Sequence, residues 1–322
     1  MSEPTVNVLI FTYNQETLIR DTIESVINQS YNNIIKIIIA DDGSTDRTPD
    51  IIMEYASNNH SIEPILGGKN KGIAYNMNRA LKRANADYIS FLDGDDIMSQ
   101  HKIKKQVEYL TVNPDLVACA HDMDVFDVDG EKSIGKFSEV INFAKIDDRI
   151  SIKSIFDPSL LLSPSSIMYK YEKIPVDGLD IRLKYWYDFL FIVEVLINGD
   201  LGFMNEVLGS YKLHQANTSQ SDDMRELGLE NALLAYSIIM AKYPDLYSLV
   251  KRRRTATYVA KILDCIKRGD VKRAINISKI LMSEGNFFKG LVLRISLNIL
   301  DEKRVDKLLS NEKLLKFVMK SF

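Results

Sequence analysis

The sequence predicts an α/β fold, in which a mainly parallel sheet flanked by helices is followed by a helical C-terminal region. Short apolar runs alternate with segments of helical period over the first half of the chain, which is typical of βα units around a parallel sheet. Two of the apolar runs end abruptly in acidic loops, and the chain from about residue 225 onward has helical character. A length of 322 residues with 46% apolar residues allows one large domain plus an appendage.

The elements follow one another in a regular order. β-branched runs too short for typical helices predict strands, and apolar residues at helical spacing predict the helices between them. The predicted strands are VNVLIFT at 6–12, IIKIIIA at 34–40, a short run at 62–66, DYISFL at 87–92 and a piece at 201–207. The predicted helices lie at about 18–27, 48–56, 73–84 and 186–198, and helices fill the chain from 225. Residues 128–163 have poor periodicity, and we assign no element there.

We expect a boundary near residue 224. A domain at 1–224, with halves of about 1–127 and 128–224, would then precede a basic helical region at 225–322. The net charge of −3 hides this division, because residues 251–322 contain 18 Lys and Arg against 7 Asp and Glu. A tail with clustered Lys and Arg could bind nucleic acid or an anionic membrane surface. The simpler alternative is that these residues form a solvated helical face. Nucleic acid is the least favoured, since the tail lacks interleaved aromatic residues and a recognition motif.

The two cysteines and the N-terminus favour the cytoplasm. Cys119 and Cys265 are far apart in apolar surroundings, so neither a disulfide framework nor a zinc pattern is indicated. Residues 1–6 have no basic stretch followed by an apolar one, and no later segment reaches the roughly 18 apolar residues that cross a bilayer. We therefore expect a protein that is neither secreted by that route nor membrane-spanning.

The strand at 87–92 runs directly into Asp93-Gly94-Asp95-Asp96. Three carboxylates in four residues destabilise a fold unless a cation or strong donors compensate them. Their hard oxygen atoms suit Mg²⁺ or Mn²⁺, while an acidic turn that only ends the strand is the alternative. A calcium loop of the EF-hand type is disfavoured by Ile97 and Met98.

A second acidic loop, Asp41-Asp42-Gly43-Ser44, follows the strand at 34–40. Such residues often form only a turn, but a carboxylate at this position could also accept the imide N–H of a uracil ring. Ligands of open α/β sheets bind beyond the carboxyl edge, so the two acidic loops should lie close together. The nearby loop 67–72, with Lys71, could hold a diphosphate through backbone N–H groups, although it matches neither a P-loop nor a dinucleotide motif.

Taken together in this order, these segments resemble the family-2 glycosyltransferases of the GT-A fold, over about residues 6–219. VLIFTYNQETLIRDTIESVINQSY with ADDGSTDRT is similar to the nucleotide-binding start of that family, and FLDGDD is similar to its DxD motif. The resemblance implies that Asp93 contacts the ribose and metal region and that Asp95 binds Mn²⁺ or Mg²⁺. It also implies a set of donor-binding residues in the first half of the domain: Thr12, Tyr13, Asn14, Asp41, Asp42, Lys71, Asp93 and Gly94.

The resemblance continues into the second half of the domain. Trp186-Tyr187-Asp188 is similar to the acidic pair that precedes a helix in the family, which makes Asp188 the catalytic base, although Tyr187 stands where the first acid usually is. On local pattern alone Asp188 would only complement a helix dipole. His214, in the sequence YKLHQANTS, is similar to the histidine that helps to bind diphosphate or metal. By position, Ser165, Ser166 and Trp186 are assigned to the acceptor site.

The implied activity is inverting, metal-dependent transfer of a sugar from a nucleotide-sugar to a hydroxyl of a saccharide or lipid-linked acceptor in surface polysaccharide synthesis. UDP is the favoured nucleotide, with GDP and dTDP as alternatives. The segment FFKGLVLRISLNIL at 287–300 could lie in a membrane interface, giving peripheral attachment to the inner face of the cell membrane. The helical tail could also support a homodimer. The competing functions are a non-catalytic carbohydrate- or nucleotide-binding scaffold and a sugar nucleotidyltransferase, whose glycine-rich basic opening loop is not found here.

Overall fold

A computed structural model describes residues 3–127, 132–140, 146–213 and 222–284 of the chain. The chain divides into two compact units, Met1–Met224 and Arg225–Phe322.

The first part of the first unit alternates strands and helices, as the sequence predicts. The elements are β1 (Val6–Thr12), α1 (Ile19–Ile27), β2 (Ile34–Asp41), α2 (Thr48–Asn58), β3 (Ile62–Ile65), α3 (Ile73–Leu81) and β4 (Tyr88–Asp93). Every residue of β1 is buried, which is expected for a parallel strand covered by helices on both faces. The bounds of these seven elements, from β1 to β4, agree with the predicted bounds to within three residues.

The remainder of this unit is less regular and was only partly predicted. Its elements are β5 (Ile97–Met98), α4 (Lys102–Val112), β6 (Ala118–Phe126), β7 (Ser133–Lys136), α5 (Phe137–Val140), β8 (Arg149–Ile150), β9 (Met168–Lys170), α6 (Tyr187–Leu196) and β10 (Leu201–Lys212). The sequence pattern predicts neither α4 nor β6. β10 continues five residues beyond its predicted end because it pairs with β6 as far as Phe126, across two irregularities in register.

The strands form one sheet in the order β3-β2-β1-β4-β9-β6-β10-β5, with β7 beside β6 and β8 beside β10. β1 is parallel to both β2 and β4, and β6 is parallel to β10. The short strand β9 is antiparallel to its neighbours β4 and β6. The predicted α/β sheet flanked by helices is confirmed; its long strands pair in parallel, and the short strands β5, β7, β8 and β9 pair antiparallel.

An aromatic cluster fixes α6 against the centre of the sheet. The Phe91 ring of β4 lies 5.0 Å from the Tyr169 ring of β9 and 5.6 Å from the Phe191 ring of α6, measured between centroids. The Tyr169 and Phe191 rings meet edge to face at 5.4 Å. Because buried aromatic pairs of this kind add to the stabilisation from burial, the middle of α6 is held against β4 and β9.

The second unit is helical in the part that is described, with α7 (Asp222–Lys242), α8 (Tyr247–Lys267) and α9 (Val271–Ser283). α8 and α9 pack through buried residues that include Tyr258, Ile262, Ala274 and Leu281. The predicted C-terminal helices are confirmed for these residues. Within the described residues no helix has the length and apolar character needed to span a bilayer. The proposed interfacial segment 287–300 lies outside the described residues.

Candidate functional site

Strand register brings the two acidic loops to one edge of the sheet. Thr12 is the register partner of Asp41, and Phe11 is the partner of Asp93. The backbone N–H of Asp42 donates to the Thr12 carbonyl at 3.0 Å, and that of Gly94 donates to the Phe11 carbonyl at 2.8 Å. The carboxyl ends of β1, β2 and β4 therefore meet where ligands of open α/β sheets bind.

Asp41 is fully buried and is hydrogen-bonded within its own turn. Its Oδ2 accepts the backbone N–H groups of Gly43 and Ser44, both at 3.0 Å, and its Oδ1 accepts the Ser44 hydroxyl. Gly43 has a φ of +78°, and a Cβ there would lie 2.4 Å from the backbone of Lys69, so this turn requires glycine. The Asp41 side chain is thus held in one orientation at the strand end.

The loop after β1 is tied to the same turn. Asn14 has a φ of 51°, its N–H donates to Ser44 Oγ at 2.8 Å, and its Oδ1 accepts the Thr45 N–H at 2.8 Å. Tyr13 is 42% exposed. An aromatic side chain that is open to solvent beside buried carboxylates is suited to stacking on a planar ring.

Asp42 organises the loop 67–72 that opens α3. Its two carboxylate oxygens accept the backbone N–H of Lys71 at 3.1 Å and that of Gly72 at 2.8 Å. Burial raises the pKa of Asp42, and these two hydrogen bonds oppose the increase. The Lys71 ammonium is exposed and lies 4.6 Å from the centre of the Tyr75 ring. Asp42 thus positions the lysine-bearing loop through its backbone.

Arg79, which the sequence pattern does not single out, supports this loop through hydrogen bonds to backbone carbonyls. Its guanidinium donates to the carbonyls of Asp41 at 3.0 Å, Ile65 at 3.1 Å and Leu66 at 2.7 Å. A single arginine in an amphipathic helix gives no sequence signal for such a role, because the carbonyls it contacts come from two strand ends.

Gly94 lies directly against the end of β1. A Cβ at residue 94 would lie 2.3 Å from Gln15 Oε1 and 2.9 Å from Thr12 Cβ. Thr12 Oγ1 donates to that Gln15 oxygen at 2.7 Å, and Thr22 Oγ1 donates to the Gly94 carbonyl at 2.9 Å. Only glycine allows the acidic loop to rest against Thr12.

The three carboxylates of this loop differ in their surroundings. Asp93 and Asp95 are half-buried, whereas Asp96 is 1% exposed. Burial, followed by the charges of Asp95 and Asp188, raises the pKa of Asp93 to about 7. Burial and the charges of Asp95 and Asp93 also raise the pKa of Asp96 well above its ordinary value. Concentrated, poorly compensated negative charge of this kind favours a cation.

The donor set fits a divalent cation that is completed by a ligand. No group of three His, Cys, Asp or Glu side chains among the described residues is arranged to hold a metal by itself. Mg²⁺ is usually bound by one or two carboxylates plus substrate phosphates and water, which is what the Asp93 and Asp95 oxygens offer. His214, the other predicted ligand, lies outside the described residues.

Asp188 lies in the first turn of α6, after Trp186, whose φ of 64° is left-handed. Its Oδ1 accepts the Phe189 N–H at 2.8 Å. Asp188 is exposed to solvent, yet desolvation by the surrounding protein raises the pKa of its carboxyl, while the hydrogen bond from the Phe189 N–H acts to lower it. The charge of Asp188 also contributes to the raised pKa of Asp93, so the two carboxylates are close enough to interact.

The residues assigned to the acceptor site have different surroundings. Ser165 and Ser166 are at most 2% exposed. Ser165 Oγ accepts the Asp93 N–H at 3.0 Å, and Ser166 Oγ donates to the Ser163 carbonyl at 2.7 Å. Both hydroxyls are thus used inside the fold. The half-buried Trp186 ring packs edge to face on Phe189, with the centroids 5.5 Å apart.

The same fold is found among solved structures. Residues 1–349 of S. aureus TarS in complex with UDP-GlcNAc have a TM-score of 0.61 and 15% identity, with 96% of this chain and 92% of that chain covered. A mannosyltransferase from Pyrobaculum calidifontis, in complex with GDP-Man and Mn²⁺, has a TM-score of 0.59 and 14% identity, with 92% of this chain and 81% of that chain covered. The predicted GT-A fold class is therefore confirmed.

Curated relatives match part of the chain. An uncharacterised protein of Mycobacterium tuberculosis is 30% identical over 215 residues, which are 65% of this chain and 59% of that protein. A putative teichuronic acid biosynthesis glycosyltransferase of Bacillus subtilis is 39% identical over 108 residues, which are 34% of this chain and 42% of that protein. The chain thus spans about two fifths to three fifths of these relatives.

The family match covers the region that builds the site. The model of "Glycosyl transferase family 2" matches residues 7–174, which include both acidic loops and the strands that precede them. The match extends over more than half of the 322 residues, and the resemblance seen in the sequence is confirmed. This chain belongs to glycosyl transferase family 2.

Proposed function

We propose that this chain is an inverting, metal-dependent glycosyltransferase, which moves a sugar from a nucleotide-sugar to a hydroxyl of a saccharide or lipid-linked acceptor. The observation that carries the proposal is the arrangement of three acidic positions at one sheet edge. Asp41 and the residues 93–96 end neighbouring parallel strands, and Asp188 interacts electrostatically with Asp93 from the start of α6. A donor that contacts the first two positions would present its sugar to the third.

The donor site is assigned to the residues that the resemblance implies. Tyr13, Asn14, Asp41 and Asp42 would bind the base and ribose, and Thr12 and Gly94 would shape the floor. Asp93 and Asp95, together with His214, would hold Mn²⁺ or Mg²⁺ on the diphosphate. When bound, the cation supplies positive charge that stabilises the departing diphosphate. Lys71 belongs to the loop 67–72, and its exposed ammonium could contact the phosphate oxygens of the donor.

The reaction is a direct displacement at the anomeric carbon. Asp188 removes the proton of the acceptor hydroxyl, and the acceptor oxygen forms a bond to the anomeric carbon while the bond from that carbon to the diphosphate oxygen breaks. Attack on the face opposite the leaving group inverts the configuration. The raised pKa of Asp188 improves its match to this role, because a base with a pKa closer to the working pH is a better proton acceptor.

UDP is the proposed nucleotide, and a cell-surface polysaccharide is the proposed product. The structural neighbour TarS is described in complex with UDP-GlcNAc, while the mannosyltransferase neighbour is described with GDP-Man and Mn²⁺, so GDP remains an alternative. The Bacillus subtilis relative is named for teichuronic acid biosynthesis, which supports a saccharide acceptor.

We further propose peripheral attachment to an anionic membrane surface through the basic second unit, at the cytoplasmic face. Lys267, Lys272 and Lys279 are exposed on α8 and α9, and each basic residue near an anionic surface adds about 1 kcal/mol of binding free energy. Sedimentation with anionic and neutral vesicles at low salt tests this, and equal recovery with both would contradict it. A homodimer through the same unit is testable by light scattering.

Titration calorimetry tests the donor site. We expect UDP to bind with Mn²⁺ present and weakly without it, and to bind more tightly than GDP or dTDP. Absence of binding by all three nucleotides would contradict the transferase proposal and favour a non-catalytic scaffold.

A further inference from the structure

A fully buried lysine lies behind the acidic loop. Lys102 is the first residue of α4 and has 0% exposure. Its ammonium group donates to Ser90 Oγ of β4 at 3.0 Å and to the Ser165 carbonyl at 2.8 Å. Ser165 Oγ in turn accepts the backbone N–H of Asp93 at 3.0 Å. One serine therefore connects the lysine to the first carboxylate-bearing residue of the loop.

A second side chain of α4 holds the adjacent carbonyl. Gln106, one helical turn after Lys102, donates from Nε2 to the Ser166 carbonyl at 2.9 Å and is also buried. Side chains four residues apart lie on the same face of a helix, so α4 holds two consecutive carbonyls of the 165–166 segment. The Lys102 and Gln106 side chains therefore fix the segment that supports Asp93.

The stability of the core does not explain a lysine at this position. Burying an ammonium group is costly even when it is hydrogen-bonded, and an apolar residue of similar volume is often as stable or more stable. Burial lowers the pKa of Lys102 to about 7, whereas the nearby Asp96 charge acts to raise it. What the ammonium does provide is a pair of hydrogen bonds that tie β4 to the segment supporting Asp93.

We propose that Lys102 is a positioning residue for the loop 93–96, acting through Ser165 on the backbone N–H of Asp93. Its effect on ligand binding rests on the proposed function, in which this loop binds a metal-bound nucleotide. Its effect on the loop itself does not. The two effects can be measured separately on the full chain.

Lys102→Met removes the ammonium and keeps most of the volume, and Lys104→Met is the matched control, because Lys104 is an exposed lysine of the same helix. Hydrogen–deuterium exchange without ligand should be about tenfold faster at 93–98 in Lys102→Met, while β1 amides exchange as in the wild type. The affinity for UDP with Mn²⁺ should fall about 10- to 100-fold, as is typical when a residue supporting a metal ligand is lost. Lys104→Met should match the wild type in both measurements.

Unchanged exchange at 93–98 in Lys102→Met would overturn the proposal, as would faster exchange spread equally over β1, since that pattern indicates general destabilisation. If the wild type binds no UDP, the proposed function fails, and the exchange data still decide the role of Lys102. If Lys102→Met does not fold, Ser165→Ala removes the acceptor of the Asp93 N–H without adding bulk. The same local increase in exchange is then expected, and its absence would overturn the proposal.

Discussion

The side-chain amide of Asn78 is paired with the backbone of Leu179. Its Nδ2 donates to the Leu179 carbonyl and its Oδ1 accepts the Leu179 N–H, both at 2.8 Å. Gly178, with a φ of +68°, makes this possible, because a Cβ there would lie 2.3 Å from Asn78 Oδ1. The pair joins α3 to the segment that leads into α6, and so links the two parts of the proposed active site.

Replacing Asn78 should destabilise the protein. Asn78→Ala leaves the N–H and carbonyl of Leu179 without these partners, which should lower the free energy of unfolding by about 1–3 kcal/mol in urea denaturation. Asn58→Ala is the control, since its amide makes one local bond to the Glu54 carbonyl on an exposed surface. That change should stay within about 0.5 kcal/mol. Equal losses in the two variants would contradict the importance of the pair.

Two glycines give a matched test of the close approach to Thr12. Gly94→Ala adds a methyl 2.9 Å from Thr12 Cβ, which should destabilise the protein by about 1–3 kcal/mol and weaken UDP binding. Gly68→Ala adds the same methyl where no atom lies within 4 Å, and should change neither quantity. Thermal denaturation and calorimetry of the two variants test this. A Gly94→Ala variant that resembles Gly68→Ala would argue against contact between loop and strand.

Asp95 should matter only when the metal is present. Asp95→Ala should weaken UDP binding at least about tenfold with Mn²⁺ and have little effect without it, because the carboxylate is assigned to the cation. Asp50→Ala, at an exposed acid in the first turn of α2, is the control. The measurement is calorimetry at fixed ionic strength. Metal dependence that persists unchanged in Asp95→Ala would count against the ligand role.

The buried Lys102 should make the free energy of unfolding depend on pH above about 7. Its pKa is lowered from 10.5 to about 7 in the fold, so between these values the unfolded chain binds more protons than the native one. The free energy of unfolding therefore gains a contribution that rises with pH from about 7 towards 10, by up to about 1.4 kcal/mol per pH unit. Lys102→Met should lack this rise, and Lys104→Met should keep it. Urea denaturation from pH 7 to 9 measures the free energy of unfolding of both variants. If the two variants show the same dependence on pH, the prediction is wrong.

The parts of the fold that the sequence predicted are those with simple periodicity. The runs that became β1, β2 and β4 are mostly apolar because parallel strands are covered on both faces, and the acidic residues at the ends of β2 and β4 mark those strand ends. β6 was missed because its run ACAHDMDVF contains His121, Asp122 and Asp124, which interrupt the apolar pattern. Asp122 is satisfied by the N–H groups of Met123 and Ser138, a contact that no local pattern reveals.

The site was predicted only where its chemistry follows a strand. Asp41 and residues 93–96 could be recognised because they end strands of one sheet. The roles of three helical residues could not be recognised: Lys102, Arg79 and Asn78. Each contacts backbone groups of another segment, and the sequence around each has the pattern of an ordinary polar helix face. The assignment of Ser165 to an acceptor surface rested on position along the chain, and its burial next to Asp93 depends on the pairing of β9 with β4.

The central claim is that Asp188 acts as the base on an acceptor beside a donor bound at the carboxyl edge, and Asp188→Asn tests it most directly. The variant keeps the size of the side chain and loses the proton acceptor, so sugar transfer from the UDP-sugar that the wild type uses should fall by about 10²- to 10⁴-fold. UDP binding with Mn²⁺ should stay close to that of the wild type, and Asp177→Asn, at an exposed acid in the same unit, should retain both. Transfer that persists in Asp188→Asn, or UDP affinity that collapses together with transfer, would contradict the claim.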